Sequence, residues 1–308
     1  NWQKAFPQFI LVACIPFSWA GNQACIIKRN TYYKPNTKDC MNYYTLPPTA
    51  KLADYVRFFW VLESEELSNP YIHRSMADGC AELLFHYKGT FTELTEEEQV
   101  TQPYSLIHSQ SRVVRRFITP GGFGIFGAYL YPFAIRHLFD IPAEELTNRL
   151  PDLHSLLGKD GKELEERMML APDNNSRYRI LTAFLEHKLR NTSSGKHPAM
   201  TAVKTVIHSD EQRTVRDLAH HFNLSERQFE RKFREYSGFS PKLYMRIIRF
   251  GRACRRYQGK TSKSLTDIAY ECGYYDQSHF IRDFREFSGY HPGVYFSGCA
   301  EGTEWQEV

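Results

Sequence analysis

An internal repeat in the last hundred residues constrains the fold more than any other feature of the sequence. Residues 218–223 (LAHHFN) align with residues 268–273 (IAYECG) at an offset of 50. After one extra residue in the second turn, residues 229–241 align with residues 280–292 at an offset of 51. Each copy contains a short apolar segment, a tight turn and a longer segment with helical spacing, so the repeat predicts two helix-turn-helix units.

The second helix of each predicted unit is amphipathic. Ser225 and Asp276 are suitable N-cap residues, and Gly238 and Gly289 suit the C-terminal ends. Aromatic side chains recur at i, i+4 and i+7 in both copies, and this stripe is expected to be buried. The stripe comprises Phe229, Phe233 and Tyr236 in the first copy and Phe280, Phe284 and Phe287 in the second.

The opposite face of each second helix carries side chains that suit base edges in the major groove. Arginine can bind guanine through two hydrogen bonds, glutamine can pair with adenine, and glutamate can accept from cytosine. A solvated face is the alternative for one such helix, but two matched units in a basic segment favour DNA binding. The predicted base-contacting residues are Arg227, Glu230, Arg231, Gln277, Ser278, Ile281 and Arg282.

The segment that contains the repeat is also basic. Residues 198–298 carry 17 basic and 11 acidic side chains, whereas the whole chain carries 39 and 35. Residues 241–258 are predicted to form a helix about 27 Å long between the two units. Such a helix can hold two recognition helices near the roughly 34 Å that separates successive major grooves on one face of DNA. The predicted phosphate contacts are Arg234, Arg246, Arg249, Arg256 and Arg285.

These residues resemble the AraC/XylS family of bacterial transcription regulators. The resemblance covers residues 199–296, about a third of the chain. Its most specific part is GYYDQSHFIRDFR at residues 273–285, followed by GYHP at residues 289–292. The family's usual Thr or Ser before the closing proline is His291 here, which lies in a turn outside the predicted base-contacting face.

The resemblance implies roles for the helices and for partners. The first helices, near residues 215–222 and 265–272, would support each unit, and the helices that begin at Ser225 and Asp276 would contact DNA. Double-stranded promoter DNA and RNA polymerase would be partners, and activation of transcription would be the outcome. A bacterial, nucleoid-associated protein in the cytoplasm would follow from that role.

The middle of the chain has a different pattern. Residues 55–131 contain short aromatic and β-branched runs separated by turn signals, as in an all-β sandwich or barrel. From residue 142 onward, apolar residues recur at helical spacing. The predicted fold class is therefore α+β. An N-terminal mixed domain with a β-sandwich or barrel-like sheet plus helices precedes an all-α domain with two helix-turn-helix units joined by a linker helix.

The predicted organisation has five segments. They are a leader at 1–40, a sensory or effector domain at 41–190, a linker at 191–197, the DNA-binding domain at 198–297 and an acidic tail at 298–308. The leader is expected to be disordered or untranslated, because the first methionine is Met41 and globular patterning begins there. A signal peptide is the alternative, although Pro16 interrupts its apolar stretch.

The middle region also resembles the sensory half of some family members, chiefly at residues 78–86 (DGCAELLFH) and 122–124. That resemblance implies a small effector, dimerisation or both. Strand alternation places Glu82 and His86 on one face, as polar anchors for an effector or as metal ligands. The alternative is a strand edge with two ordinary polar residues, since no third ligand is nearby. We therefore predict Glu82 and His86 as effector contacts, with no metal or cofactor.

Other classes of function have weaker support in the sequence. The glycine-rich stretch at 121–124 lacks the Lys-Ser/Thr of a phosphate loop, and no Gly-x-Ser-x-Gly nucleophile motif occurs. An alkyl-transfer protein with a zinc-bound cysteine cluster would need close cysteine pairs, but the seven cysteines form no Cys-x-x-Cys. A structural nucleoid protein would not need distinct side chains on two faces. No run approaches the roughly 20 apolar residues of a membrane span. The chain is predicted not to be an enzyme.

Overall fold

The chain folds into a two-sheet β-rich part followed by helices, which confirms the predicted α+β class. The computed structural model describes residues 30–32, 41–67, 69–192, 197–208, 213–258 and 264–297. The strands are β1 (Asn30–Tyr32), β2 (Met41–Leu46), β3 (Val56–Ser64), β4 (Tyr71–Ser75), β5 (Ala81–Lys88), β6 (Thr92–Leu94), β7 (Gln99–Thr101), β8 (Ser105–His108), β9 (Arg115–Thr119) and β10 (Phe123–Leu130).

The helices come after the strands. They are α1 (Pro132–Phe139), α2 (Ala143–Leu146), α3 (Leu153–Leu157), α4 (Lys159–Leu170), α5 (Asn174–Asn191), α6 (Pro198–His208), α7 (Val215–His221), α8 (Glu226–Ser237), α9 (Pro241–Gln258), α10 (Leu265–Glu271), α11 (Gln277–Ser288) and α12 (Pro292–Phe296). Among the described helices, none has the length and apolar character needed to cross a membrane.

Two antiparallel sheets face each other in the β-rich part. The larger has the order β1-β2-β3-β10-β5-β8 and the smaller the order β4-β9-β6-β7. Strand β10 is paired on both sides and all eight of its residues are buried. Gly127 in β10 lies against the indole of Trp60, since a Cβ there would stand 2.4 Å from its Cε2 atom. The absence of a side chain at Gly127 thus lets the Trp60 ring lie across the sheet.

The larger sheet separates two apolar clusters. Leu83 and Phe85 of β5 pack on the helix side, in a core that continues into the C-terminal helices. Leu84 lies on the other side, between the sheets, with aromatic residues such as Phe91 and Phe123. The alternation predicted for this strand is therefore confirmed, and Glu82 and His86 share the side of Leu84.

Several predicted elements agree with the structure and others were missed. The connecting helix predicted at 241–258 is α9. Helix α1 was not predicted, because six of its eight residues are buried and no polar face marks it as a helix. Within the predicted leader, residues 30–32 pair with β2, and the rest of residues 1–40 lie outside the described residues. The predicted tail at 298–308 also lies outside them.

The first helix-turn-helix unit packs directly on the N-terminal helices. The Thr147 hydroxyl donates to the carbonyl of Gly238 at 2.9 Å. The Arg136 guanidinium pairs with Glu235, with Nε to Oε1 at 3.2 Å. Both partners lie at the C-terminal end of α8, so the contact leaves the N-terminal half of that helix uncovered.

The second unit and α9 contact the loop between β4 and β5. The buried Tyr244 hydroxyl donates to the carbonyl of Gly79 at 3.1 Å. The backbone N–H of Ala77 donates to the carbonyl of Phe287 at 2.9 Å. The sequence predicted two domains joined by a linker, and the structure adds that they share one apolar core and polar contacts.

Candidate nucleic-acid interface and effector site

Each of the two predicted recognition helices, α8 and α11, has defined ends. Ser225 caps α8, because its side chain accepts from the backbone N–H of Gln228. The Gln228 side chain in turn accepts from the backbone N–H of Ser225, which completes a capping box. Asp276 caps α11 by accepting from the N–H of His279 at 2.6 Å. Gly238 and Gly289 end the two helices with φ of +81° and +76°, a backbone conformation that favours glycine. The predicted boundaries are thus confirmed.

The aromatic stripes of both helices are buried. Phe229 and Phe233 in α8, and Phe280 and Phe284 in α11, are each at most 1% exposed. The Phe280 and Phe284 rings stand 5.5 Å apart in an edge arrangement. Burial of this side fixes which side of each helix faces solvent.

The solvent-facing side carries most of the predicted base-contacting residues. In α8 and α11 they are exposed, with one exception. Ile281 is partly buried and packs against the core, so its reach toward a base is smaller than the sequence suggested. The exposed residues are Arg227, Glu230, Arg231, Gln277, Ser278 and Arg282.

The predicted phosphate contacts divide into two groups. Arg234 and Arg285 are exposed on the recognition helices. Arg246 forms ion pairs within the protein, Arg249 donates to the carbonyl of Gly273 at 3.2 Å, and Arg256 pairs with Glu271 at 2.9 Å. The first group is the better placed for a phosphate, since its guanidinium groups form no ion pair or hydrogen bond among the described residues.

Arg246 belongs to a charge network inside the second unit. Its Nη2 atom lies 2.7 Å from Asp283 and 2.6 Å from Glu286. Arg112 of the N-terminal part pairs with Glu286 at 2.9 Å. Burial opposes ionisation of Glu286, but the Arg246 and Arg112 guanidinium groups outweigh it and lower its pKa. This network ties α9 and α11 to the β-rich part.

Two exposed features near the units escaped the sequence reasoning. Tyr275 is 87% exposed and immediately precedes the N-cap of α11. It lies in the second turn, which is one residue longer than the first turn in the repeat alignment. A shallow pocket beside α7 is lined by Arg213, Arg216, Asp217, His220 and His221. Its cluster of basic and histidine residues was the signal available in the sequence.

The two predicted effector residues lie on the face of the larger sheet that is turned toward the smaller one. Glu82 is partly buried, and burial together with the Asp78 carboxylate raises its pKa to about 8. Both ring nitrogens of His86 are buried without a hydrogen bond inside the described part of the chain. Burial lowers the His86 pKa to about 4, and the nearby Gln102 amide opposes that shift.

A third residue, His108, joins them and was missed. It is the direct neighbour of Glu82 across β5 and β8, and its Nε2 atom is buried without a hydrogen bond within the described residues. Burial, then the charge of Arg115, lower its pKa to about 3. No sequence pattern pairs residue 82 with residue 108, because strand register is a long-range property. Within the described ranges, no group of His, Cys, Asp and Glu is arranged to hold a metal.

Two family models match separate parts of the chain. Residues 218–298 match a model described as a helix-turn-helix domain. Residues 44–152 match a model described as a domain of unknown function, DUF6597. The first model covers the repeat, and the second covers most of the two-sheet part.

Several known proteins are similar to part of the chain. The HTH-type transcriptional regulator ArgR of Pseudomonas aeruginosa is 31% identical over 173 residues, 52% of this chain and 50% of that protein. The HTH-type transcriptional activator RhaS of an Enterobacter species is 41% identical over 76 residues, 24% and 26% of the two chains. The chain thus spans half or less of the length of these curated relatives.

Among solved structures, a transcriptional regulator from Chromobacterium violaceum, titled as having an AraC-type DNA-binding domain, is 30% identical. The match covers 34% of this chain and 93% of that chain, with a TM-score of 0.31.

Proposed function

We propose that this chain, a member of the AraC/XylS family through its C-terminal helix-turn-helix domain, is a sequence-specific transcription regulator that acts as an activator. One observation carries the proposal: two matched helices, α8 and α11, expose different sets of the side chains predicted to contact bases. One polypeptide can then contact two half-sites in successive major grooves. Because its target is chromosomal DNA, we place the protein in the bacterial cytoplasm.

The β-rich part is proposed to bind a small effector and to alter how the helices engage DNA. This is supported by the ring nitrogens of His86 and His108, which have no hydrogen bond among the described residues and lie on the same face as Glu82, and by the contacts that join the loop between β4 and β5 to α9 and α11. A ligand beside Glu82 lies a few residues from that loop. RNA polymerase and a second copy of the chain are proposed as further partners, and catalysis is not part of the proposed role.

The central test is selection of bound sequences from a random DNA pool by the full chain at a stated salt concentration. Two enriched blocks about 10 base pairs apart are expected, since each helix would contact one half-site. Enrichment of a single block would mean that either α8 or α11 binds DNA without base preference. No enrichment would contradict sequence-specific regulation.

Substitution of a base-contacting arginine should alter one block only. Arg231→Ala in α8 and Arg282→Ala in α11 are each expected to weaken the selected site by about 1–3 kcal/mol and to relax preference at one base. Binding isotherms on single-base variants of the site measure both effects. Arg190→Ala, which removes an exposed arginine at the end of α5, is the matched control and should change nothing. An equal loss on every sequence would make Arg231 or Arg282 a phosphate contact.

The exposed arginines later in the two recognition helices should behave differently. Arg234→Ala and Arg285→Ala are expected to weaken binding to all DNA sequences about uniformly. Each should also reduce the slope of log affinity against log salt concentration by about 1. The slope comes from affinities measured at several salt concentrations. An unchanged slope would exclude a phosphate contact. Phosphate roles for Arg246, Arg249 and Arg256 remain predictions that compete with their contacts inside the protein.

A further inference from the structure

We propose that the effector is a small organic cation, such as a quaternary ammonium, amine or guanidinium, held between the two sheets by the Glu82 carboxylate. The inference rests on the proposed function, since it names the class of ligand for the effector site. An aromatic wall on β3 and β10 would cover the cation. The aromatic wall consists of Phe58, Trp60 and Tyr129.

Strand register brings the carboxylate and the aromatic wall together. On the inner face of the larger sheet, Phe58 pairs with Tyr129, Tyr129 with Glu82, and Glu82 with His108. These four residues form one row across β3, β10, β5 and β8. The Phe58 and Tyr129 rings stack with centroids 4.9 Å apart, and the Trp60 indole lies over Gly127 one step along the same face.

Glu82 has no counter-ion among the residues that the structure describes. Among the described residues its carboxylate makes no hydrogen bond and no ion pair. The nearby Arg115 is already paired with Glu93 at 2.6 Å. The Arg57 guanidinium donates to the Cys80 thiol at 3.3 Å and lies 5.1 Å from the centroid of the Tyr129 ring. A carboxylate without a partner favours an incoming positive charge.

The neighbouring histidines suit the same ligand. His108 and His86 are at least nine-tenths buried, and each has a ring nitrogen without a hydrogen bond in the described part of the chain. Their lowered pKa values keep both rings neutral near pH 7, so each can accept an N–H from a ligand. Aromatic faces attract cations, most strongly once water is excluded. Among the described residues near Glu82, Arg115 is paired with Glu93 and Arg57 is attracted by the Asp78 carboxylate, so an anion would be repelled by Glu82 beside cations that already have acidic neighbours.

The test uses three probes of similar shape and different charge. Tetramethylammonium, tert-butanol and pivalate are titrated into the full chain, and binding is measured by calorimetry. We expect tetramethylammonium to bind and the neutral and anionic probes to bind at least about tenfold more weakly. Methylguanidinium and putrescine extend the series to cations with N–H donors. Binding of tert-butanol or pivalate in preference to the cations would overturn the proposal, as would no cation binding up to about 20 mM.

Variants locate the binding. Glu82→Gln keeps the size of the side chain and should weaken the binding of tetramethylammonium at least tenfold. Phe58→Leu should weaken this binding less. Glu97→Gln, on the exposed turn between β6 and β7, is the matched control and should bind as the wild type does. Equal binding by Glu82→Gln would place the cation elsewhere and overturn the proposal. DNA binding by each variant confirms its fold and separates this test from that of the proposed function.

The pH dependence provides a second readout. Tetramethylammonium does not titrate. Because the Glu82 pKa is raised, binding of the cation below about pH 8 releases the proton of the Glu82 carboxyl group. Affinity should therefore rise up to about tenfold per pH unit between about pH 6 and about pH 7.5, then level off. Around Glu82, His108 and His86 stay neutral over this range, Cys80 stays protonated, and Arg115 stays paired. Other charged or polar groups around this site are Arg57, His73, Asp78 and Tyr129, and burial raises the pKa of Asp78 as it does that of Glu82. A flat profile would contradict ionisation of Glu82 on binding.

Discussion

Asp283→Ala is expected to lower the free energy of unfolding by about 3 kcal/mol. Its side chain is completely buried in α11 and accepts from Nε and Nη2 of Arg246 on α9, at 3.2 and 2.7 Å. Removal of one partner from a buried ion pair costs about 3–5 kcal/mol, because the other charge is left uncompensated. Arg246 keeps Glu286 at 2.6 Å, which places the expected loss at the lower end. Urea unfolding of the full chain, followed by circular dichroism, measures it.

The exposed pair of Glu271 and Arg256 is the matched control. Its two side chains are 33% and 46% exposed, and exposed pairs contribute about 0–1 kcal/mol. Glu271→Ala should therefore leave the unfolding midpoint almost unchanged. Asp283→Asn tests charge at nearly constant volume and should recover only part of the loss. If Asp283→Ala unfolds like the wild type, the network is not a source of stability in the second unit.

The two helix-turn-helix units could be predicted from the sequence because their information is local. Helix caps, the aromatic stripe at i, i+4 and i+7, and the closing glycine all lie within about 15 residues of one another. The repeat shows the same caps, aromatic stripe and closing glycine a second time. Residues such as Arg231 and Arg282 therefore lie on the exposed side of their helices, as predicted.

Contacts between distant segments could not be predicted in this way. Arg246 lies on a basic helix and looked like a phosphate contact, but Asp283, 37 residues later, provides a buried partner. The site around Glu82 likewise depends on His108 and Tyr129, which only the order and register of the strands bring alongside it. Such pairings depend on the packing of the whole core, so no short sequence pattern indicates them.

Gly238 likewise has two roles, one set by local sequence and one by a distant contact. The sequence predicted it as the end of α8, where φ of +81° favours glycine. The structure adds that a Cβ there would stand 1.9 Å from Nε2 of Gln110 and 2.6 Å from Oγ1 of Thr147, both in the N-terminal part. Gln110 is buried and donates to the carbonyl of Ala143, so it cannot move without losing that bond.

Gly238→Ala is therefore expected to destabilise the protein by about 2–4 kcal/mol, about 1 from backbone strain and about 1–3 from overpacking. Gly289→Ala separates these effects, because φ there is +76° while the nearest contacts of a Cβ are at an ordinary 3.5 Å, and it should lose only about 1 kcal/mol. Gly251→Ala, inside α9, should stabilise by about 0.5–1 kcal/mol. Urea unfolding of the three variants gives the comparison. Equal losses for Gly238→Ala and Gly289→Ala would mean that the end of α8 does not press against the N-terminal part in solution.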